Sequence, residues 1–317
     1  MILYFLLPLV WGHADHASLP AGLRCRNIEK SPGVKLQADT RIFSGHETTW
    51  NWPFIVRLGM KDENGVIRLC GATILNKKWI ITAASCAYQK KVVGLIAADE
   101  VNGIIEESEV RGFSKAVHYH ENYRPGSLAD DVALIELEEQ FDYNDHLQPA
   151  CLPDKEPSVG ERCFIAGWGV SSTGSIGVET HLLEADIVIL SNDICERIFG
   201  PYDLWDENEV FCAMGNNGEG TCHGDAGGPV MCVENDQPVL VGIQRKRSTC
   251  GGPFLVTKVN SYKNYIRSVI SDQDIPDQSL ISDQEISQCG TPEDAYKVSQ
   301  AIVRSLEHLF RKSCKAM

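Results

Sequence analysis

The stretch TCHGDAGGPV, residues 221–230, holds the residues of this chain that come nearest to catalytic chemistry. His223 is a titratable side chain in this stretch, and three glycines and Pro229 surround Ala226. Covalent catalysis also needs a nucleophile beside a base that activates it. An alanine methyl cannot attack a carbonyl, so the stretch raises the question whether this chain does chemistry at all.

The elements that position this stretch are predicted to be β-strands. Between about Arg41 and Ile270, short runs rich in Val, Ile and aromatic residues alternate with clusters of Gly, Pro, Asn and Asp, as in PFIVRLGMKDENGVIRLCGATIL. This spacing predicts an all-β sandwich or barrel. The segment NSYKNYIRSVI then has apolar residues at helical spacing behind Asn260, which predicts a capped helix that closes the domain.

The composition limits the kinds of partner. The chain has 317 residues, 12 cysteines and a formal net charge of −14. Nucleic acid and anionic membranes would repel so acidic a surface, which argues against both as partners. The cysteines lie far apart with no C-x-x-C pair, so they favour disulfides formed in an oxidising compartment over a metal site.

Both ends of the chain differ from its β-rich middle. The apolar start predicts a signal peptide over residues 1–14, with a short membrane anchor as the alternative. Residues 15–41 then form a leader, and the β-rich domain covers residues 42–270. Residues 271–317 begin as an acidic linker and continue into a predicted helix with one apolar stripe. Packing of that helix on the main domain is preferred over binding of a partner.

Five motifs occur in the order typical of one enzyme family. RIFSG resembles the family's activation cleavage site, GATILNKKWIITAASC the strand and loop of its histidine, and DDVALIEL the segment of its aspartate, while AGWG and GDAGGP complete the set. Residues 42–270 therefore resemble the trypsin-like serine proteases of the chymotrypsin fold. The resemblance implies two six-stranded antiparallel β-barrels with a C-terminal helix, to which this chain appends a disulfide-closed helical tail.

The resemblance also implies an incomplete catalytic triad. Asp131 matches the aspartate, but Ser85 stands where the family has its histidine, and Ala226 where it has its serine. A serine hydroxyl is far too weak a base near neutral pH, so proteolysis by the family mechanism is expected to be absent. His223 adjoins the site but has no nucleophile to activate. The backbone amides of Gly224 and Ala226 still correspond to the oxyanion hole.

The substrate-binding positions differ from the family as well. By resemblance, Gly220 forms the floor of the specificity pocket, and Phe254 replaces a wall glycine with a ring that would occupy the cavity. Arg245, Lys246 and Arg247 stand where the family has the Ser-Trp-Gly that pairs with substrate. We interpret these basic residues either as a site for an acidic partner segment at the rim of the groove or as solvated side chains.

One activation switch is implied by the same resemblance. Cleavage after Arg41 would free the amine of Ile42, which in active relatives pairs with an aspartate equivalent to Asp225. That pair could still act as a conformational switch, and the alternative is that Arg41 is never cut.

The resemblance further suggests disulfide pairs and one metal loop. Cys25 with Cys151 would tie the leader to the domain, and the family implies Cys70–Cys86, Cys163–Cys232, Cys195–Cys212 and Cys222–Cys250. Outside the resemblance, Cys289 and Cys314 flank the predicted tail helix, and their pairing would close the tail. Each bridge is worth about 2 to 4 kcal/mol of stability. Some relatives have a calcium loop where this chain has Glu100, Glu106 and Glu107, but solvated carboxylates are the preferred interpretation, and no other cofactor is expected.

Together these patterns predict a secreted, catalytically inactive serine protease homologue that acts by binding a protein, as a cofactor, decoy or regulator of proteolysis. Two alternatives stay open. One is a serine-type hydrolase with residual activity, which would require a base that the sequence does not show. The other is a structural or storage protein of a secretion, in which the fold matters and no site does.

Overall fold

The computed structural model of the chain describes residues 46–48, 52–97, 110–126, 129–144, 147–169, 182–202, 205–215, 219–234, 237–245 and 250–270. Within these ranges no helix is long and apolar enough to cross a membrane. The predicted signal peptide, leader, acidic linker and helical tail, with its Cys289–Cys314 pair, lie outside the described residues.

Strand β1 (His46–Glu47) joins the second barrel, and the strands that follow it build the first. These are β2 (Ile55–Lys61), β3 (Ile67–Ile74), β4 (Trp79–Thr82), β5 (Lys91–Ala97), the two-residue β6 (Val110–Arg111), β7 (Ser114–Tyr119) and β8 (Ala133–Leu137). They are hydrogen-bonded in the order β6-β5-β2-β3-β4-β8-β7. The turn between β2 and β3 closes at Gly65, whose φ of +83° suits glycine.

The second barrel contains the later strands. These are β9 (Arg162–Gly167), β10 (Leu183–Ile189), β11 (Val210–Gly215), β12 (Pro229–Glu234), β13 (Gln237–Gln244) and β14 (Phe254–Lys258). Their order is β1-β10-β11-β14-β13-β12-β9, and an additional β9–β10 pairing closes the sheet. Each barrel thus has six main strands with one two-residue strand beside them, which confirms the predicted two-barrel fold.

Helices are few and short in the described part of the chain. They are α1 (Ala84–Ala87), α2 (Asn192–Phe199) and α3 (Lys263–Val269), with 3₁₀ turns at Gly200–Tyr202 and Asn260–Tyr262. The predicted C-terminal helix is present as α3, but its predicted cap is wrong. Asn260 lies in the preceding 3₁₀ turn, and no side chain caps either segment. Burial of the apolar face holds α3 in place, with Ile266 only 2% exposed.

Four disulfides stabilise the two barrels: Cys70–Cys86, Cys163–Cys232, Cys195–Cys212 and Cys222–Cys250. These are the pairs that the family resemblance implies. Cys151 is disulfide-bonded as well, but Cys25 lies outside the described residues, so their pairing stays a prediction. Glu161 lies beside Cys163 and Cys232, but the two sulfurs are bonded to each other and are not available to a metal.

Candidate functional site

The Asp131 carboxylate lies between the two barrels, two residues before β8, with 1% of its side chain exposed. Its Oδ1 accepts a hydrogen bond from the Ser85 amide at 2.7 Å, and its Oδ2 accepts one from the Ser85 hydroxyl at 3.0 Å. The Thr257 hydroxyl of β14 donates to the Asp131 carbonyl at 3.3 Å. This bond ties the first barrel's loop to the second barrel.

The short helix α1 presents Ser85 to this carboxylate. The Cys70–Cys86 disulfide fixes the helix to β3. At the same C-terminal end, the Lys90 ammonium donates to the carbonyls of Ser85 at 3.0 Å and Cys86 at 2.8 Å, which satisfies carbonyls that a helix end leaves unpaired. The position of Ser85 is therefore fixed by the disulfide at the next residue and by polar contacts.

Ala226 lies in a loop that both barrels hold. The Gly71 amide of β3 donates to the Ala226 carbonyl, and the Gly227 amide donates to the Gln244 carbonyl of β13, both at 2.8 Å. Gly227 has a φ of +86°, and a Cβ at this position would overlap the Thr82 hydroxyl. Only glycine fits such a position without strain.

Two amides in the same loop are free to donate. Gly224 has a φ of +106°, and neither its amide nor that of Ala226 donates a hydrogen bond to any described residue. A pair of amides without internal acceptors can bind a carbonyl or carboxylate oxygen that approaches the cleft.

Asp225 lies between Gly224 and Ala226 in this loop, and its side chain is buried, with 1% of the residue exposed. Its Oδ1 accepts a hydrogen bond from the Gly169 amide and its Oδ2 one from the Cys222 amide, both at 2.8 Å. Burial raises the pKa of the Asp225 carboxyl to about 6, against which the two amide hydrogen bonds act. Arg41 and Ile42 lie outside the described residues, so the implied switch at Asp225 stays a prediction.

The sequence of residues 42–266 matches the family described as Trypsin. The chain belongs to this trypsin family. Over 280 residues it is 28% identical to phenoloxidase-activating factor 1 of Holotrichia diomphalia, covering 79% of this chain and 76% of that protein.

Solved structures agree with this assignment. The structure of GrC superposes with a TM-score of 0.65 at 20% identity, covering 72% of this chain and 99% of that one, and shows the likeness of fold. Mouse neuropsin, a serine protease expressed in the limbic system of the brain, superposes with a TM-score of 0.59 at 27% identity. The superposition covers 69% of this chain and 95% of neuropsin.

Within the trypsin family's motif, the three triad positions come together in this fold. Ser85 contacts Asp131 directly, and the sulfur of the neighbouring Cys86 lies 3.4 Å from the Ala226 carbonyl oxygen. Because Ala226 carries only a methyl group, the trypsin-family scaffold presents no hydroxyl there. His223 is exposed in the loop, and it is not among the described hydrogen-bond and ion-pair partners of Asp131, which include Ser85, Thr257 and Arg245.

The structure describes two of the pocket positions that the resemblance implies, Gly220 and Phe254, and the occupation of the cavity by the Phe254 ring stays a prediction. Phe254 is 1% exposed and packs in the apolar core of the second barrel, so its ring occupies buried space. Gly220, with a φ of +155°, lies against the backbone of Gly251 and Gly252. Lys246 and Arg247 lie outside the described residues.

Arg245 corrects one interpretation drawn from the sequence. A basic residue at the rim of the groove would be solvated or available to an acidic partner, but Arg245 is only 4% exposed. Its guanidinium turns inward, and Nε lies 3.9 Å from Oδ2 of Asp131. A buried carboxylate attracts a cation more strongly than a surface site does, which accounts for the inward orientation.

Gln244 is a buried polar residue that the sequence reasoning missed. Its Nε2 donates to the carbonyls of Ala166 in β9 and Pro229 in β12, both at 3.1 Å. The only sequence signal is its position at the end of the apolar run PVLVGI, where the side-chain alternation of a strand makes an inward polar residue possible. Gln244 thereby links three strands beside the Ala226 loop.

Proposed function

We propose that this protein is a secreted, non-catalytic member of the trypsin family that acts by binding another protein. The proposal rests on the side chains at the triad positions. Ala226 has only a methyl group, and the Ser85 hydroxyl donates its hydrogen bond to Asp131 at 3.0 Å. The hydrogen bonds that hold Ser85 and the Ala226 loop are in place, so the fold is kept while the groups for acyl transfer are lacking.

The missing groups cannot be replaced by what lies nearby. The family mechanism needs a serine oxygen that attacks and a histidine that takes its proton. Loss of either member of such a triad lowers kcat by about a millionfold, and loss of both adds little because they act as a unit. The unpaired amides of Gly224 and Ala226 would stabilise an oxyanion that no residue of this site generates.

We infer the class of the partner from the name of one relative. That relative is named phenoloxidase-activating factor 1, a name that gives it a role in activation. We therefore assign this chain to the regulation of proteolytic activation, with a protease or its target as the partner. The four disulfides that join described cysteines support a location outside the cytosol, because disulfides form and persist in oxidising compartments.

A fluorophosphonate probe tests the loss of catalysis. The secreted protein is treated with the probe before and after cleavage at Arg41, next to an active trypsin-family protease as the control. We expect the control to be labelled and this chain to remain unlabelled in both forms. Turnover of a peptide ester above the buffer rate, or an adduct on any side chain of the cleft, would favour a hydrolase with residual activity instead.

Affinity capture from the native fluid tests the binding role. Wild-type protein and an Arg41→Gln variant, which cannot be cut after residue 41, are immobilised in parallel. We expect retention of a protease, a zymogen or a substrate of one, in amounts that differ between the two forms if cleavage is the switch. If neither form retains any such protein, the binding role is wrong and a structural role becomes the better account.

A further inference from the structure

Arg245 is the one described residue of the basic run Arg245–Arg247, and its side chain is directed into the protein. It follows β13 at the position where the trypsin motif has a serine, and 3% of its side chain is exposed. The Arg245 amide donates to the Leu255 carbonyl of β14 at 3.4 Å, which keeps the backbone in the sheet. The guanidinium is therefore buried beside Asp131 instead of solvated.

Acidic and phenolic groups surround this guanidinium. Asp131 is the nearest, with 3.9 Å between Nε and Oδ2, and Tyr262, Glu209 and Tyr123 also act on Arg245 electrostatically. Burial lowers the pKa of Arg245, and the nearby Asp131 carboxylate acts in the opposite direction. Nε and Nη2 make no hydrogen bond to any described residue, so the attraction to Asp131 is ionic.

The pair lowers the electrostatic cost of burying the Asp131 carboxylate. A buried carboxylate is costly unless a cation or hydrogen bonds compensate it. In an active triad the imidazolium that forms during the reaction supplies that charge. Here Ser85 gives Asp131 two hydrogen bonds but no charge, whereas Arg245 carries a permanent one.

We propose that Arg245 is a positioning residue that has taken over Asp131 from the catalytic machinery and made it half of a structural ion pair. This inference rests on the proposed function, since an active enzyme needs Asp131 for its histidine. It follows that inactivity depends on three positions. Restoring Ser85→His and Ala226→Ser leaves a histidine whose protonated form faces a guanidinium, so its basicity stays too low.

The pKa of an introduced imidazole measures this effect without any activity assay. Ser85→His is prepared alone and combined with Arg245→Ser, which restores the serine of the family, and the imidazole is titrated by NMR. We expect its pKa to be higher by about one pH unit or more when Arg245 is replaced, because Asp131 then acts on the imidazole unopposed. Equal pKa values in the two variants would overturn the proposal.

A surface pair provides the matched control for this titration. Arg162 Nη2 lies 3.1 Å from Asp186 Oδ2 with 37% and 33% of the two side chains exposed. Arg162→Ser in the Ser85→His background removes one positive charge from the protein but none from the site. We expect the imidazole pKa to stay unchanged, so a similar rise with this variant would assign the effect to net charge and contradict the role of Arg245.

A double-mutant cycle on the natural residues gives a second, independent readout. Arg245→Met leaves a buried carboxylate without its cation, and we expect the folding equilibrium constant at neutral pH to fall about 100-fold or more. Adding Asp131→Asn should recover most of that loss, since an amide needs no counter-charge. The control is the same cycle with Arg162→Met and Asp186→Asn. There the coupling between the two substitutions should change the folding equilibrium constant by less than about fivefold.

The two proposals fail in different ways. If the effects of Arg245→Met and Asp131→Asn simply add, the two residues are uncoupled and the role of Arg245 is refuted, whatever the protein binds. If the wild-type chain reacts with the fluorophosphonate probe, the proposed function is refuted. The coupling energy between Arg245 and Asp131 does not depend on that result, because the double-mutant cycle measures it separately.

Discussion

The Asp225 carboxylate is a buried charge whose oxygens accept hydrogen bonds from the amides of Gly169 and Cys222. Its pKa is raised from the ordinary 3.8 to about 6, chiefly by burial. Between these two values the folded protein holds a proton that the unfolded chain has released. The contribution of Asp225 to stability is therefore fully present below about pH 4 and is lost as the pH rises through about 6.

This difference predicts a measurable dependence of stability on pH. The difference between the two pKa values corresponds to a change in the free energy of unfolding on the order of 3 kcal/mol. Asp225→Asn removes this pH dependence, because an amide does not titrate. Chemical denaturation of the wild type and of Asp225→Asn is compared between about pH 4 and 7, both in an Arg41→Gln background so that no new amino terminus forms. The wild type should lose stability relative to the variant as the pH rises. A difference that is independent of pH would contradict the raised pKa.

The sequence predicts which residues occupy the candidate site better than it predicts the orientation of their side chains. The motifs show what stands at Ser85, Asp131 and Ala226, because each lies within a short diagnostic pattern. They do not show where Arg245 points. Three consecutive basic residues favour a solvated interpretation, and the attraction that turns Arg245 inward comes from Asp131, which is far away in the sequence and becomes a neighbour only through the fold.

The end of strand β9 shows how an element makes room for a charge. Gly167 is its last residue and Gly169 follows two positions later, and a Cβ on either would overlap the Asp225 carboxylate. The carboxylate cannot simply swing away, because its hydrogen bonds to Gly169 and Cys222 fix both oxygens. The glycines of the AGWG motif thus serve the burial of Asp225.

Gly169→Ala is predicted to destabilise the protein by about 2 kcal/mol, since an extra methyl in a packed site forces neighbours off their positions. The control is Gly94→Ala in β5, where an added Cβ meets nothing within 4 Å. We expect the control to change the free energy of unfolding by less than about 0.5 kcal/mol. Denaturation of both variants at one pH checks this, and equal effects would show that crowding at Asp225 is unimportant.

Strand prediction succeeds here where the pattern is local. The quoted run from Pro53 to Leu75 contains β2 and β3, joined by a turn with Gly65, and both strands are present. Helix detail is less predictable. Asn260 has the right type for a cap, but the chain forms a 3₁₀ turn there because Tyr262 and Ile266 must both be buried. The packing of α3 on the barrel decides its start, and a local pattern does not contain that information.

At the scale of the whole molecule, the candidate site exists because two barrels meet. Ser85 and Asp131 come from the first, and Ala226 and Arg245 from the second. Hydrogen bonds from Gly71 to Ala226 and from Thr257 to Asp131 cross between them. The sequence predicts this arrangement only through family resemblance, because strand spacing alone is compatible with a sandwich as well as with barrels.

Disulfides stabilise this two-barrel architecture, and they differ in the lengths of the loops that they close. Cys163 and Cys232 are 69 residues apart, whereas Cys70 and Cys86 are only 16 apart. A cross-link restricts the unfolded chain more when its loop is longer. Removing the longer bridge should therefore cost more stability than removing the shorter one.

The chain-entropy relation puts this difference at about 1 kcal/mol. The paired variants Cys163→Ala/Cys232→Ala and Cys70→Ala/Cys86→Ala are matched, because all four cysteines are buried and each variant loses the same atoms. Denaturant unfolding under non-reducing conditions should show the larger loss for the first variant. Only the second releases α1, so faster hydrogen exchange of the Ser85 amide is expected there, since that amide donates to Asp131. A larger loss of stability in the second variant would mean that holding α1 against Asp131 outweighs the effect of loop length.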